Sequence, residues 1–215
     1  MNSRKITIFC DQADSFFLEY LNEARLIVER NGDIYCFANN ISQIDSGDIL
    51  IAAAAKSILS AETLLKHKHN IVLHPSKLPA YRGSGVVAWS ILEGANELWV
   101  TSFLASNNID LGDVVLQSKR DLNGRELMGE IRHVQATLFL EHIDYILKLK
   151  QIEGKPQDLT KKGKLYRRRT SKDSQLTVDK TIEEQFNLLR VVDNIRYPAF
   201  FEMHGEKYFL RISKE

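Results

Sequence analysis

Asp48-Ile49-Leu50-Ile51-Ala52-Ala53-Ala54 decides the fold class. Its side chains are apolar at consecutive positions, so a strand built from it is dry on both faces. Such strands lie buried in parallel sheets covered by helices. The flanking segments alternate in type. Toward the N-terminus, Lys5 to Cys10 reads as a strand, apolar and partly β-branched. Phe17, Leu21, Ala24 and Val28 then recur at helical spacing, and Asn31-Gly32 stops that helix before a second strand, Asp33 to Ala38. Toward the C-terminus come a short helix around Ala61 to Lys66 and a strand from Asn70 to Leu73. A helix capped by Ser84 and stopped by Gly94 follows, then a strand from Glu97 to Leu104. Strands alternating with helices predict an α/β protein with a doubly wound, mostly parallel sheet.

Beyond that sheet, Asn123 and Glu126 have the spacing of a capping box. Leu127, Ile131, Val134, Leu138 and Ile146 mark the buried stripe of a long helix ending near Lys150. These elements define a domain over residues 1–150. Residues 151–164 have no periodicity and read as a connector. Residues 165–215 form a small appendage, too short for an independent core. Within it, Thr181 and Glu184 cap a helix whose Ile182, Phe186 and Leu189 face inward. Ala199 to Met203 and Lys207 to Ile212 flank a turn and predict a β-hairpin.

The chain has 215 residues, 44% hydrophobic and 27% charged, with 29 basic and 28 acidic side chains and a net charge of +1. This apolar content and small net charge exclude disorder over most of the chain. The near-neutral balance weighs against a nucleic-acid partner. The longest apolar run, Ile49 to Ala55, is far short of the roughly 20 residues a membrane-spanning helix needs, so no membrane partner is expected. The opening residues carry no long apolar stretch of the signal-peptide kind. Cys10 and Cys36, the two cysteines, both fall in strand-like runs and read as buried reduced thiols. Together these features predict a cytoplasmic protein. The hairpin offers an edge and an apolar face, so a homodimer is expected. No metal site is read from the sequence.

The chemistry concentrates between Asn70 and Gln117. His74 ends an apolar strand and opens a loop fixed by Pro75 and Pro79. Ligands of α/β proteins bind at the carboxyl ends of strands, and a histidine there can act as acid or base near neutral pH. Asp110 follows the next strand in a glycine-containing loop, and adjacent strand ends would bring it to His74. On residue type alone, His74 also fits a loop histidine satisfied by backbone groups, and Asp110 a turn residue before Gly112.

His74-Pro75-Ser76, Leu78-Pro79 and Tyr81-Arg82-Gly83 are followed by a helix carrying Trp89 and Glu93-Gly94. Then come a strand with Val100-Thr101 and the loop Ile109-Asp110-Leu111-Gly112-Asp113. In this order the motif resembles the signature of the folate-dependent formyltransferases, and the likeness runs over about residues 1–150. It implies a Rossmann-like domain and transfer of a formyl group from the co-substrate 10-formyltetrahydrofolate to an amine. It further implies that His74 and Asp110 are catalytic, and that Ser57, Ile58, Leu59, Ala105 and Asn108 border the folate. Ser76, Tyr81, Arg82 and Gly83 would lie beside the acceptor.

The family's catalytic asparagine would stand two residues before the histidine. Val72 occupies that place, and Asn70 stands two residues further back. A rise of about 3.3 Å per residue puts Asn70 on the face of His74 but roughly 13 Å along the strand. A bulge could bring it closer; otherwise Ser76, Asn107 or Asn108 would donate to the oxyanion, or the donor is missing.

The tail resembles the short C-terminal segment of sugar N-formyltransferases in two stretches. These are Tyr166-Arg167-Arg168-Arg169-Thr170 and Tyr197-Pro198-Ala199-Phe200-Phe201. The resemblance implies a nucleotide-linked amino sugar as acceptor. Six of the nine residues from Lys161 to Arg169 are basic, so Arg168 and Arg169 could meet a diphosphate, while Phe186 or Tyr166 could stack on a nucleobase. The same charge run also fits a solvated surface, and Phe186 a core residue. The alternatives within this family are a binding protein that has lost catalysis and an enzyme formylating initiator tRNA.

Overall fold

The computed structural model describes residues 3–106 and 108–215. Its central sheet uses β1 (Lys5–Phe9), β2 (Ile34–Ala38), β3 (Gly47–Ala53), β4 (His67–His74), β6 (Glu97–Leu104) and β7 (Val114–Asp121). A two-residue strand, β5 (Arg82–Gly83), lies outside it. The spatial order is β2-β1-β3-β4-β6-β7. The first four strands are parallel; β6 runs antiparallel to β4, and β7 antiparallel to β6. The α/β architecture expected from the alternation is present, with the parallel strands in its N-terminal half. The dry strand of the opening stretch is β3, which lies inside the sheet between β1 and β4.

Side-chain alternation divides the core. Ile49, Ile51 and Ala53 of β3 join the main core on one face, with Ile71 and Leu73 of β4. Helices α1 (Leu21–Arg30), α3 (Val86–Leu92) and α4 (Met128–Lys148) cover that face through Ala24, Val28, Ile91, Ile131, Phe139 and Ile146. Leu50 and Ala52 point the other way, into a smaller cluster with Phe9, Ala38 and Ile44. That face carries the short α2 (Ala61–Leu64), capped by Ser60. No helix among the described residues is long and apolar enough to cross a membrane.

Several boundaries differ from expectation. Strand β7 was not anticipated, because Gln117-Ser118-Lys119-Arg120-Asp121 is polar; it is an edge strand, where charged side chains are tolerated. Helix α3 starts from Gly85 at φ 68°, not from a Ser84 cap. Asn123 and Glu126 form a turn ahead of α4, and Glu130 accepts from the Leu127 N–H at 2.7 Å instead. In the tail, Thr181 and Glu184 do bond reciprocally, but the helix that follows is only α5 (Phe186–Arg190), and Ile182 is exposed. The hairpin forms as β9 (Ala199–Met203) and β10 (Glu206–Leu210). His204 and Gly205 turn between them at φ 55° and 81°, the left-handed pair of a tight hairpin. Tyr208 and Phe209 remain exposed on β10.

One buried polar cluster ties α4 to the antiparallel half of the sheet. His142 is 1% exposed, and its ring nitrogens lie 2.6 Å from the hydroxyls of Ser102 and Ser118. Burial lowers its pKa from 6.5 to about 4. The unfolded chain therefore binds a proton that the folded chain refuses. Stability from this site is complete above the unfolded value of 6.5 and is lost as pH falls toward 4. Lowering the pH from about 7 to about 5 should cost about 2 kcal/mol of unfolding free energy at this site. Urea titrations at both pH values, with His142→Asn as control, measure it. A variant whose stability depends on pH as steeply as the wild type would refute the assignment.

Candidate active site

The carboxyl ends of β1, β3 and β4 open on one cleft of about 760 Å³. The strand order reverses at β1, with β2 on one side and β3 on the other, and ligands of open α/β sheets bind beside such a reversal. His74, the last residue of β4, and Asp110 both line the cleft.

Asp110 reaches His74 by a different route from the one expected. Because β6 is antiparallel to β4, its end at Leu104 pairs with Ile71, behind His74. The loop after Leu104 runs back along β4 and is closed at its base by Leu104 N–H donating to Asp113 O at 2.9 Å. Gly112 permits the closure, since a Cβ there would sit 1.7 Å from the Leu104 carbonyl oxygen. The return places Asp110 Oδ1 3.6 Å from His74 Nδ1. Asp110 Oδ2 accepts from the Gly83 N–H at 2.8 Å, and His74 Nε2 lies 3.3 Å from the Tyr81 carbonyl. Burial pulls the His74 pKa below the ordinary value, and the Asp110 charge and the Tyr81 carbonyl counter that pull.

Ser57, Ile58 and Leu59 line one side of the cleft, facing Ala105, Ser106 and Asn108. Asp11 fixes the first of these loops by accepting from the N–H groups of Lys56 at 2.7 Å and Ser57 at 2.8 Å. Gln12 adds a bond to Ala54 O at 2.7 Å. Ile58 is 70% exposed and Ile109 55%, so the loops offer aliphatic surface at the mouth. Gly83, Arg168 and Arg169 also line the cleft. The Arg169 guanidinium is anchored on Val191 O at 2.8 Å and Asp173 O at 3.0 Å.

Five expected residues lie elsewhere. The Asn70 amide donates to Leu64 O at 2.8 Å, so it braces α2 and does not face His74. Val72 itself lines the cleft where the asparagine was sought. Ser76 donates its hydroxyl to the Tyr81 carbonyl, which commits it to the loop. Tyr81 stacks on Tyr166 with ring centroids 5.9 Å apart. Arg82 pairs through its backbone with Leu165 of a second short strand, β8 (Leu165–Tyr166). Phe186 packs with Leu176, Leu189, Val192 and Ala199 in the tail's own cluster, because α5 turns its apolar side to the hairpin. Asn107 lies outside the described residues.

Sequence reasoning missed Gln12, Asp14, Arg132, Asp193 and Arg196, which also line the cleft. Asp193 accepts from Arg132 and Arg196 at 2.9 Å each, and Arg196 reaches Asp14 at 2.6 Å. These residues come from three separated segments. Only the fold joins them, and no local spacing announces them.

A family model described as formyl transferase matches residues 37–147, just over half of the chain. Methionyl-tRNA formyltransferase of Clostridium acetobutylicum is 27% identical over 175 residues, 79% of this chain and 54% of its own. GDP-perosamine N-formyltransferase of Brucella melitensis is 35% identical over 108 residues, 48% of this chain and 41% of its own. The chain thus spans about half or less of the curated relatives it matches. The structure of methionyl-tRNA formyltransferase from Clostridium thermocellum superposes with a TM-score of 0.80 over 98% of this chain and 93% of that one. Its 17% identity speaks for the fold alone. The matched span contains β4, the helix after it, β6 and the loop that returns Asp110 to His74, and by that match the chain belongs to the formyl transferase family.

Proposed function

We propose that this protein transfers a formyl group from 10-formyltetrahydrofolate to the amine of a nucleotide-linked amino sugar. The observation that carries the reading is the His74–Asp110 pair, 3.6 Å apart on the wall of a cleft that also holds Arg168 and Arg169. The cleft suits the folate co-substrate. Its loops present backbone groups fixed by Asp11, and Ile58 and Ile109 supply apolar surface for a flat ring. The co-substrate brings a formyl carbon open to attack by an amine.

The chain's own residues then divide the work. As the amine's nitrogen bonds to the formyl carbon, negative charge grows on the formyl oxygen. His74 donates a hydrogen bond to that charge, and Asp110 favours the charged imidazole that does so best. Asp110 also takes the proton that the amine loses, directly or through water; the bond from the formyl carbon to the folate nitrogen then breaks, and that proton passes to the departing nitrogen, which leaves as tetrahydrofolate. With Ser76 committed and Val72 apolar, the Asn108 amide is the side-chain donor we assign to the oxyanion. Arg168 and Arg169 hold the diphosphate of the acceptor by charge-assisted hydrogen bonds.

A sugar acceptor is favoured over RNA by the net charge of +1, which gives little long-range attraction for a polyanion. Incubation with 10-formyltetrahydrofolate and a panel of nucleoside-diphosphate amino sugars, read by mass spectrometry, tests this. A formylated sugar nucleotide is the expected product. Formylation of charged initiator tRNA alone would replace the acceptor assignment. Transfer to neither, with folate still bound, would overturn the catalytic reading in favour of a binding protein.

A further inference from the structure

Residues 151–164, read from the sequence as a connector, are bonded at Lys155 and Gln157 to the stretch that carries Asp110, and at Gly163 to the loop after His74. Ile152 is buried in the main core. Lys155 and Val114 exchange two backbone hydrogen bonds of 2.8 Å. Gly154 lies so close to Asp113 that a Cβ would meet its side chain at 2.6 Å. Gly163 N–H donates to Pro79 O at 3.1 Å, and the segment continues into β8, which pairs with β5.

Gln157 sits between these anchors. Its Nε2 donates to Asp110 O at 3.0 Å and to Gly112 O at 2.8 Å. Asp110 holds a left-handed backbone at φ 57°, a conformation that costs a residue with a Cβ some strain, though Asp less than most, and that the Gln157 bonds help to hold. The Asp110 carboxylate is held separately, by the Gly83 N–H. Gly83 in turn is positioned by β8, and Ser84 N–H donates to Tyr166 O at 3.0 Å. One strap therefore fixes Asp110 twice: its backbone through Gln157, its carboxylate through β5.

We propose that Gln157 is a positioning residue that sets the approach of Asp110 to His74. The inference rests on reading that pair as catalytic. The pair stands 3.6 Å apart, just beyond hydrogen-bond length, so a small shift of the loop makes or breaks the contact. Asp110 then acts on His74 only while its backbone is held.

The test uses two variants of the full chain. Gln157→Met keeps the length of the side chain and removes both donors. Gln157→Lys restores a donor at the tip. The Met variant should lose about 10- to 100-fold in kcat, with KM for both substrates little changed, as expected for a misplaced catalytic group. The Lys variant should recover part of the loss. Without substrate, NMR titration of the His74 ring gives a second readout. The Asp110 charge raises the His74 pKa, so a loosened loop lets it fall in the Met variant. Wild-type kcat with an unchanged His74 titration in Gln157→Met overturns the inference. So does a loss of kcat that tracks a loss of Tm and is no smaller in Gln157→Lys. If Asp110→Asn keeps full turnover, the catalytic reading fails instead, and the His74 titration still decides whether Gln157 holds Asp110.

Discussion

Asp110→Asn and His74→Ala should each lower kcat by about 10²–10⁴-fold, the range typical of general acid–base groups. The two losses should not add, because each residue acts through the other. His74→Ala removes the group that meets the growing negative charge. Asp110→Asn leaves the ring in place but removes the charge that favours its protonated form. In that variant only the pull of burial and the Tyr81 carbonyl remain, so the ring's protonation midpoint moves further below the ordinary histidine value. Activity that depends on protonated His74 would then be displaced toward lower pH as well as reduced. The measurement is kcat against pH for wild type, both single variants and the double variant. Independent, additive losses would show that the two residues do not work as a pair. An Asp110→Asn profile with an unmoved acid midpoint would separate the carboxylate from the histidine's titration.

How much of this could be read from the sequence depends on how local the cause is. The dry run at Ile49–Ala53 is a strand because its own side chains are apolar at both parities, so β3 and its parallel neighbours were legible. His74 and Asp110 were legible as candidates through their places in an ordered motif. Their distance was not, since it depends on β6 running antiparallel and its loop doubling back over β4. Strand β7 was hidden because an edge strand tolerates the polar pattern of a loop. The Gln157 bonds were hidden for a related reason. A segment without periodicity reads as a connector, and nothing in its composition says that its amide meets two carbonyls some 45 residues earlier. Phe186 was open to two readings, an inward-facing residue by its helical spacing and a stacking platform for a nucleobase; α5 packs it in the tail's own cluster, as the spacing alone indicated.

Arg190→Ala should destabilise the protein by about 3–5 kcal/mol, the usual cost of breaking a buried ion pair by removing one partner. The Arg190 side chain is 1% exposed, and its guanidinium joins three segments. Its Nε donates to Glu126 O at 3.1 Å. One terminal nitrogen reaches Asn96 Oδ1 at 3.0 Å and Asn187 Oδ1 at 3.1 Å, and the other meets Glu126 Oε2 at 3.2 Å. Burial raises the Glu126 pKa, but the N–H groups of the turn at Asn123 and Gly124 and the Arg190 charge outweigh it, leaving the carboxyl below its usual range. Truncation would strand that carboxylate with only its backbone donors and leave the Asn96 oxygen without this donor. A drop of roughly 6–20 °C in Tm follows from that free energy for a chain of this size. Lys214→Ala breaks the exposed bridge to Glu130 and is the control, expected to cost under about 1 kcal/mol. Arg190→Lys keeps the charge but loses the planar fork, so it should fall between the two. The effect should also reach the cleft. Val191, the next residue, offers the carbonyl that anchors Arg169, so loosening α5 frees an arginine assigned to the acceptor. At a temperature where Arg190→Lys remains folded, KM for the sugar nucleotide should rise while KM for the folate stays near wild type. If both rise equally, or the Tm of Arg190→Ala lies within about 2 °C of wild type, the tail is not held to the domain through this residue.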